Sequence, residues 1–113
     1  MNQANDISTY RQFWPYYLRE HAKPLTRKLH FLGTGLAMTA LGAAAYSANG
    51  WLLMAALVLG YGPAWVAHFC VERNRPATFR FPFWSLISDF RMTGLWLIGR
   101  LSKELEMAGL PPS

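Results

Sequence analysis

The sequence predicts an all-α membrane protein: an amphipathic N-terminal helix, a hairpin of two membrane-spanning helices, and a C-terminal helix that lies at the interface or packs as a third span. Three observations carry this expectation. Residues 31–67 form a 37-residue run without a single Asp, Glu, Lys, Arg or His. A span needs roughly 20 apolar residues, so the run is too long for one span and right for two. Charged residues make up 15% of the chain, against about a quarter in soluble domains. A soluble domain of 113 residues would also have little polar surface left to cover two wholly apolar helices. The length suits a single domain, with a core over 8–105 and tails at 1–7 and 106–113.

The elements follow in order. Ser8 or Thr9 is a plausible N-cap. From there Tyr10, Phe13, Trp14, Tyr17, Leu18 and His21 recur at helical spacing, with Arg11, Gln12, Arg19 and Glu20 off the stripe. Such an aromatic stripe flanked by arginines suits a helix lying in a membrane interface. Pro15 either kinks a helix begun at Ser8 or marks the first turn of one begun near Trp14. Lys23-Pro24 breaks the chain, because the residue before a proline avoids helical dihedrals, and Pro24 suits the first turn of the next helix. Within the apolar run the one good turn is Ser47-Ala48-Asn49-Gly50. Trp51 then opens the second span where an interfacial tryptophan belongs. Gly33, Gly35, Ala37, Gly42 and Ala43 on one helix, and Gly60 and Gly62 on the other, permit close helix contact. Beyond an aromatic loop, Pro82 opens a last helix reaching about Leu105, followed by a polar tail.

Charge sets the orientation and narrows the partners. Arg11, Arg19, Lys23, Arg27 and Lys28 precede the first span, Arg73, Arg75 and Arg80 follow the second, and the turn between them has none. The positive-inside rule therefore predicts a multi-pass protein with both termini cytoplasmic, at the inner membrane if the chain is bacterial. The net charge of +5 is interleaved with apolar blocks, which favours anionic lipid over nucleic acid. The single cysteine, Cys70, excludes an internal disulfide. The chain also lacks the basic-then-apolar order of a cleavable signal peptide.

The candidate chemistry gathers at the ends of the apolar run. His21 and His30 stand before it and His68 closes it. A hairpin that doubles back brings all three to one end. His68 and Glu72 are four residues apart, which puts both on one face of a helix. Two or three histidines with a carboxylate suit non-haem iron(II) or zinc; hydrogen-bonded core histidines are the alternative. Asp89 can hold a ligand histidine as an acceptor or pair with Arg91 or Arg80. Glu72 can instead pair with Arg75 or Arg27. Arg73, Asn74 and Arg75 can anchor the helix end in lipid headgroups or grip a substrate carboxylate, and Cys70 points away from the His68 face as a small packing residue. Three functional readings follow from the residues: a membrane iron(II) enzyme, a non-enzymatic structural or interaction protein, and a membrane zinc-dependent hydrolase.

Three blocks are specific together. They are Phe13-Trp14-Pro15-Tyr16-Tyr17-Leu18-Arg19-Glu20-His21, then Arg27-Lys28-Leu29-His30-Phe31-Leu32-Gly33-Thr34, then Trp65-Val66-Ala67-His68-Phe69 with Glu72-Arg73-Asn74-Arg75-Pro76-Ala77. Over roughly residues 8–101 the chain resembles a family of small membrane proteins. Its bacterial members were long labelled a domain of unknown function. Its best-understood fungal members, which are longer, are iron(II)-dependent dioxygenases of 2-hydroxy fatty acids in the α-oxidation branch of phytosphingosine breakdown. The resemblance implies an iron(II) site at His21, His30 and His68, with Glu72 at the family's acidic position. It also implies a fatty-acid substrate, O2 as co-substrate, and a product one carbon shorter. The acyl tail is expected among Phe31, Leu32, Trp65 and Phe69. The head is expected near Arg27 or Arg73, with Asn74 and Asp89 as further substrate contacts.

Overall fold

The computed structural model describes residues 7–111, and among these there are five α-helices and no strand. The N-terminal residues before Ile7 and the last two of the C-terminal tail lie outside the described residues. The first helix, α1, spans Tyr10–Arg19. Its N-cap is Thr9, whose hydroxyl accepts from the Gln12 N–H at 3.3 Å. Pro15 sits inside α1, so the helix begins upstream of it. The second helix, α2, runs over Pro24–Ser47 with proline in its first turn. It ends at Ala48 in a left-handed conformation, φ 54°. The third, α3, spans Trp51–Val66 and continues as a wider π-helical segment over Ala67–Glu72. A short 3-10 turn at Ala77–Phe79 leads into α4, Pro82–Leu97, and then α5, Leu101–Met107.

Helices α2 and α3 form the hairpin. They approach most closely at Gly33, where an added Cβ would lie 2.8 Å from the Gly60 carbonyl oxygen. Only glycine fits there, because the backbone of the opposing helix occupies the space a side chain would need. Gly35, Gly42 and Gly62 instead face open space, so fewer small residues form the helix contact than the sequence suggests. Pro24–Ser47 and Trp51–Glu72 are the two stretches long and apolar enough to cross a membrane. At 1.5 Å per residue they measure about 36 Å and about 33 Å, against a hydrocarbon core of about 30 Å.

The remaining helices form a cap on the end of the hairpin that carries the histidines. The aromatic stripe of α1 differs from its expected place in a membrane interface. Phe13, Trp14, Tyr17 and Leu18 are buried against Met92 of α4 and Leu101, Leu105 and Ala108 at the C-terminal end. The physical reason lies in residues 99–108. The expected single helix ending at Leu105 is broken at Gly99, whose φ of +74° reverses the chain, and α5 folds back over α1. Leu101 and Leu105, one turn apart, present an apolar edge to that stripe. Trp14 Nε1 donates to Glu104 at 2.8 Å, and the Arg91 guanidinium stacks 4.1 Å from the Trp14 ring. Ala108, in the segment expected to be a polar tail, is therefore part of the core. With 16 residues, α4 measures about 24 Å, too short to cross unaided.

Candidate metal centre

Each of the three histidines turns its Nδ1 to an acceptor oxygen, one from the backbone and two from side chains. His21 follows the end of α1, where the last carbonyls lack intrahelical partners. Its Nδ1–H donates to the orphaned Tyr17 carbonyl at 2.6 Å. The buried Arg27 guanidinium closes the loop behind it, donating from Nη1 to the carbonyls of His21 at 2.8 Å and Ala22 at 2.9 Å.

His30 lies on the inner face of α2, with its Nδ1 3.6 Å from Asp89 Oδ1 of α4. The Tyr17 hydroxyl donates to the same carboxylate oxygen. Burial pushes the Tyr17 hydroxyl well above its usual value, and the neighbouring Asp89 charge pushes the same way. Tyr17 thus stays a proton donor at neutral pH.

His68 sits in the π-helical segment. Arg73 ends that segment in a left-handed conformation, φ 60°, and the Asn74 N–H returns to the His68 carbonyl at 2.9 Å. This tight reversal brings the Asn74 side chain back onto the histidine. Asn74 Nδ2 donates to the Glu20 carbonyl at 3.1 Å, which fixes the amide orientation and turns Oδ1 to accept from His68 Nδ1 at 2.7 Å.

These three acceptors determine where the imidazole protons lie. Each Nδ1 faces an oxygen that only accepts, so each proton is assigned to Nδ1. The Nε2 lone pairs then converge. The Nε2 atoms of His21 and His30 are 3.0 Å apart, those of His30 and His68 3.2 Å, and those of His68 and His21 3.0 Å. All three residues are buried. Three lone pairs facing one another in a low-dielectric interior repel unless a cation or a proton lies between them. A metal-ligating histidine characteristically gives its other N–H to a carboxylate, a carbonyl or a similar acceptor; His21 and His68 do so here, and the His30 Nδ1 faces the Asp89 carboxylate at 3.6 Å. The donor set therefore fits a metal ion. Three imidazole nitrogens at this spacing would hold one metal ion and leave its remaining coordination positions to other ligands. Beside the histidines is a cavity of about 10 Å³, also lined by Tyr61, Trp65, Ser85 and Asp89.

Burial holds the His21 imidazole well below its usual value, and the nearby His30 and His68 add to the effect. The unfolded chain therefore binds a proton at His21 that the folded chain refuses. Stability of the metal-free protein should be fully present above the ordinary histidine value of about 6.5 and fall as the pH drops below it. Thermal unfolding of metal-free protein between about pH 7.5 and about pH 5 measures this. The slope should be shallower in a His21→Gln variant.

The other site residues divide differently from the sequence reading. Glu72 does not join the histidines. Its Oε2 accepts from the Lys23 N–H and from the Thr26 hydroxyl, both at 2.6 Å, while Lys23 Nζ donates to the Val71 carbonyl at 2.9 Å. Lys23 is the N-cap of α2 and offers no capping side chain of its own, so Glu72 caps α2 from the neighbouring helix. A carboxylate at a helix N-terminus both accepts the orphan N–H and meets the positive end of the dipole. Glu72→Ala should accordingly keep its metal and lose about 1–2 kcal/mol of stability, read by denaturant unfolding and metal content together. Arg27 is spent on backbone carbonyls. Arg73 is exposed beside Phe69, Cys70 and Arg75, away from the histidines. Asn74 and Asp89 face the Nδ1 atoms of His68 and His30.

An apolar groove of about 350 Å³ opens from this end and runs along the hairpin, lined by His30, Thr34, Ala37, Leu41, Leu53, Ala56, Leu57, Gly60, Tyr61, Leu86, Asp89 and Phe90. His30, Tyr61 and Asp89 line both the groove and the small cavity. Of the residues expected along an acyl tail, Phe31 instead stacks on Trp96 at 4.4 Å, and Phe69 packs outward against Phe79. Only Trp65 reaches the cavity wall. Tyr17 and Tyr61 escaped the sequence reading because nothing local to them distinguishes a packing tyrosine from one aimed at a site.

No curated protein and no solved structure was found to match the chain. A family model does match, over residues 7–101, and its description is 2-hydroxy-palmitic acid dioxygenase Mpo1-like. That span contains all three histidines together with Tyr17, Asn74 and Asp89, and the chain belongs to the Mpo1-like family.

Proposed function

We propose that the protein is a membrane-embedded, non-haem iron(II) dioxygenase that shortens a 2-hydroxy fatty acid, or a similar hydroxy lipid, by one carbon. The observation that carries this reading is the junction at His30 and Asp89, where a buried three-histidine donor set meets an apolar groove of about 350 Å³. Membership of the Mpo1-like family supports the reaction class. Three histidines with open positions suit iron(II) as well as zinc, and the dioxygenase description of the family favours iron. When bound, iron(II) supplies open coordination positions for dioxygen and for the hydroxyl and carboxylate oxygens of the substrate.

The chain's own residues do the rest. Tyr17, Asn74 and Asp89 hold the histidine rings in the ligating tautomer. The groove takes the acyl tail and leaves the hydroxy-acid head beside His30, a proximity effect. Burial of the histidines keeps bulk water away from the reacting end. Iron-loaded protein, purified anaerobically and mixed with 2-hydroxypalmitate, should take up oxygen on admission of air and yield the fifteen-carbon acid. No turnover across several chain lengths, with iron shown to be bound, would reject the substrate class.

Membrane embedding is supported by the bare surface of the hairpin. Met38, Leu41, Leu53, Met54, Leu57 and Val58 are all exposed, a larger apolar surface than soluble monomers leave uncovered. Tyr46 and Trp51 project at the hairpin tip, 95% and 80% exposed, as aromatic anchors do at an interface. The exposed Phe83, Ile87, Phe90 and Leu97 of α4 suit a helix lying in the other interface. With the basic residues at the histidine end, that end is cytoplasmic and Asn49 faces outward, across the inner membrane in a bacterial host. Cysteine substituted at Asn49 should react with a membrane-impermeant maleimide in intact cells, and cysteine at Ser113 should not. The reverse pattern would overturn the orientation.

A further inference from the structure

Helix α4 buries Ser85, Ser88 and Met92. Ser88 Oγ is hydrogen-bonded to the Tyr10 hydroxyl at 2.9 Å. Ser85 differs. It is 1% exposed, and its hydroxyl has no partner; among the described residues Thr93 is the other buried hydroxyl in that condition. An unsatisfied buried hydroxyl is destabilising, and in a folded protein it usually marks a missing ligand or water. Ser85 lines the same cavity as His21, His30 and His68. At about 10 Å³ that cavity takes one water-sized group. Tyr17 and Asp89, which share the wall, are already engaged with each other.

We propose that Ser85 is a positioning residue, its hydroxyl donating a hydrogen bond to an oxygen atom of the ligand that fills this cavity on the open side of the three histidines. The proposal rests on the metal-centre reading. The oxygen comes either from the hydroxy-acid head or from a diatomic molecule, and both present a polarised oxygen at the same place. Where that oxygen carries negative charge, as a carboxylate head does, the hydrogen bond is charge-assisted and among the stronger ones. The orphaned hydroxyl is then the cost of a preformed site.

The test uses the full-length, iron-loaded protein under anaerobic conditions, with Ser85→Ala as the variant. Alanine removes one oxygen and favours helix, so α4 remains intact. Two probes separate the sources: glycolate, which carries the hydroxy-acid head without a tail, and nitric oxide, a diatomic that gives a distinctive paramagnetic signal on iron(II). Ser85→Ala should weaken one of them by about tenfold, the size of one such hydrogen bond. Weakened glycolate binding assigns the bond to the head group, and weakened nitric oxide binding assigns it to dioxygen. Iron content should be unchanged, and the melting temperature of the metal-free variant should equal or exceed that of the parent, because a buried unsatisfied group has been removed. Equal binding of both probes by variant and parent overturns the proposal, as does a fall in melting temperature or iron content, which would mark Ser85 as structural. Neither result depends on turnover of a long-chain acid, so a failed assay with 2-hydroxypalmitate leaves this test intact. If the parent protein binds neither probe, the metal-centre reading fails and this inference with it.

Discussion

Alanine at any one of His21, His30 or His68 should strip most of the metal from the purified protein, weakening binding by more than a hundredfold. The three Nε2 atoms stand within 3.2 Å of one another, so no other side chain can replace a lost ligand without rebuilding the cluster. Glu72 cannot substitute, because its carboxylate is held at the N-terminus of α2. Removing an acceptor behind a ligand should cost less: Asn74→Ala or Asp89→Asn should weaken metal binding by about 10–100-fold, the usual effect of freeing a ligand's orientation. Cys70→Ser should change nothing, since Cys70 is exposed and outside the cluster. Elemental analysis per mole of protein, before and after dialysis against a weak chelator, distinguishes the three classes. Full occupancy in two of the three histidine variants would refute the centre as described.

Filling the groove should produce the second large effect, this time on substrate length rather than on metal. Ala56 is buried in the wall of the groove, on α3 opposite Ala37 and Leu41 of α2. A phenylalanine there narrows the groove at the level of Ala37 and Leu41. Oxidation of 2-hydroxypalmitate by Ala56→Phe should fall by about a hundredfold in kcat/KM, or ~2.7 kcal/mol of lost transition-state binding. A six-carbon 2-hydroxy acid, too short to reach Ala56, should lose less than about threefold. The metal content should match the parent. Equal losses on both acids would mean that the substitution had disturbed the centre itself. No loss on either would move the tail out of the groove, towards the Phe31 and Leu32 side first expected for it.

The hairpin was legible because its signals are local and cumulative. A 37-residue stretch without charge, broken only by Asn49-Gly50, has no other arrangement in which two helices each cross a bilayer. The breaks at Pro24 and Pro82 were legible for the same reason, since proline constrains its own neighbours. The clustering of the three histidines followed from these breaks alone, by placing both flanks of the apolar run at one end. The fate of Glu72 was not legible. Its four-residue spacing from His68 is compatible with a shared face, but a π-helical turn and a left-handed Arg73 redirect the chain there. Which way a carboxylate turns also depends on the nearest unmet donor, here the Lys23 N–H on another helix. The C-terminal segment misled in the same manner: Leu101 and Leu105 read as the end of one long helix, until a break at Gly99 folded α5 onto the α1 stripe.

What the sequence determined by itself was therefore the all-helical hairpin, its apolar length, and the end at which the three histidines gather, because each is set by periodicity and by breakers within a few residues. The tertiary structure alone decided the tautomer-fixing roles of Tyr17, Asn74 and Asp89, the capping role of Glu72, the orphaned hydroxyl of Ser85 and the groove along α2, α3 and α4. The anchoring contacts of Asn74 with Glu20, Tyr17 with Asp89, and Glu72 with Lys23 and Thr26 join residues 46 to 72 positions apart, and such contacts arise only when helices pack and buried polar groups must find partners across the interface.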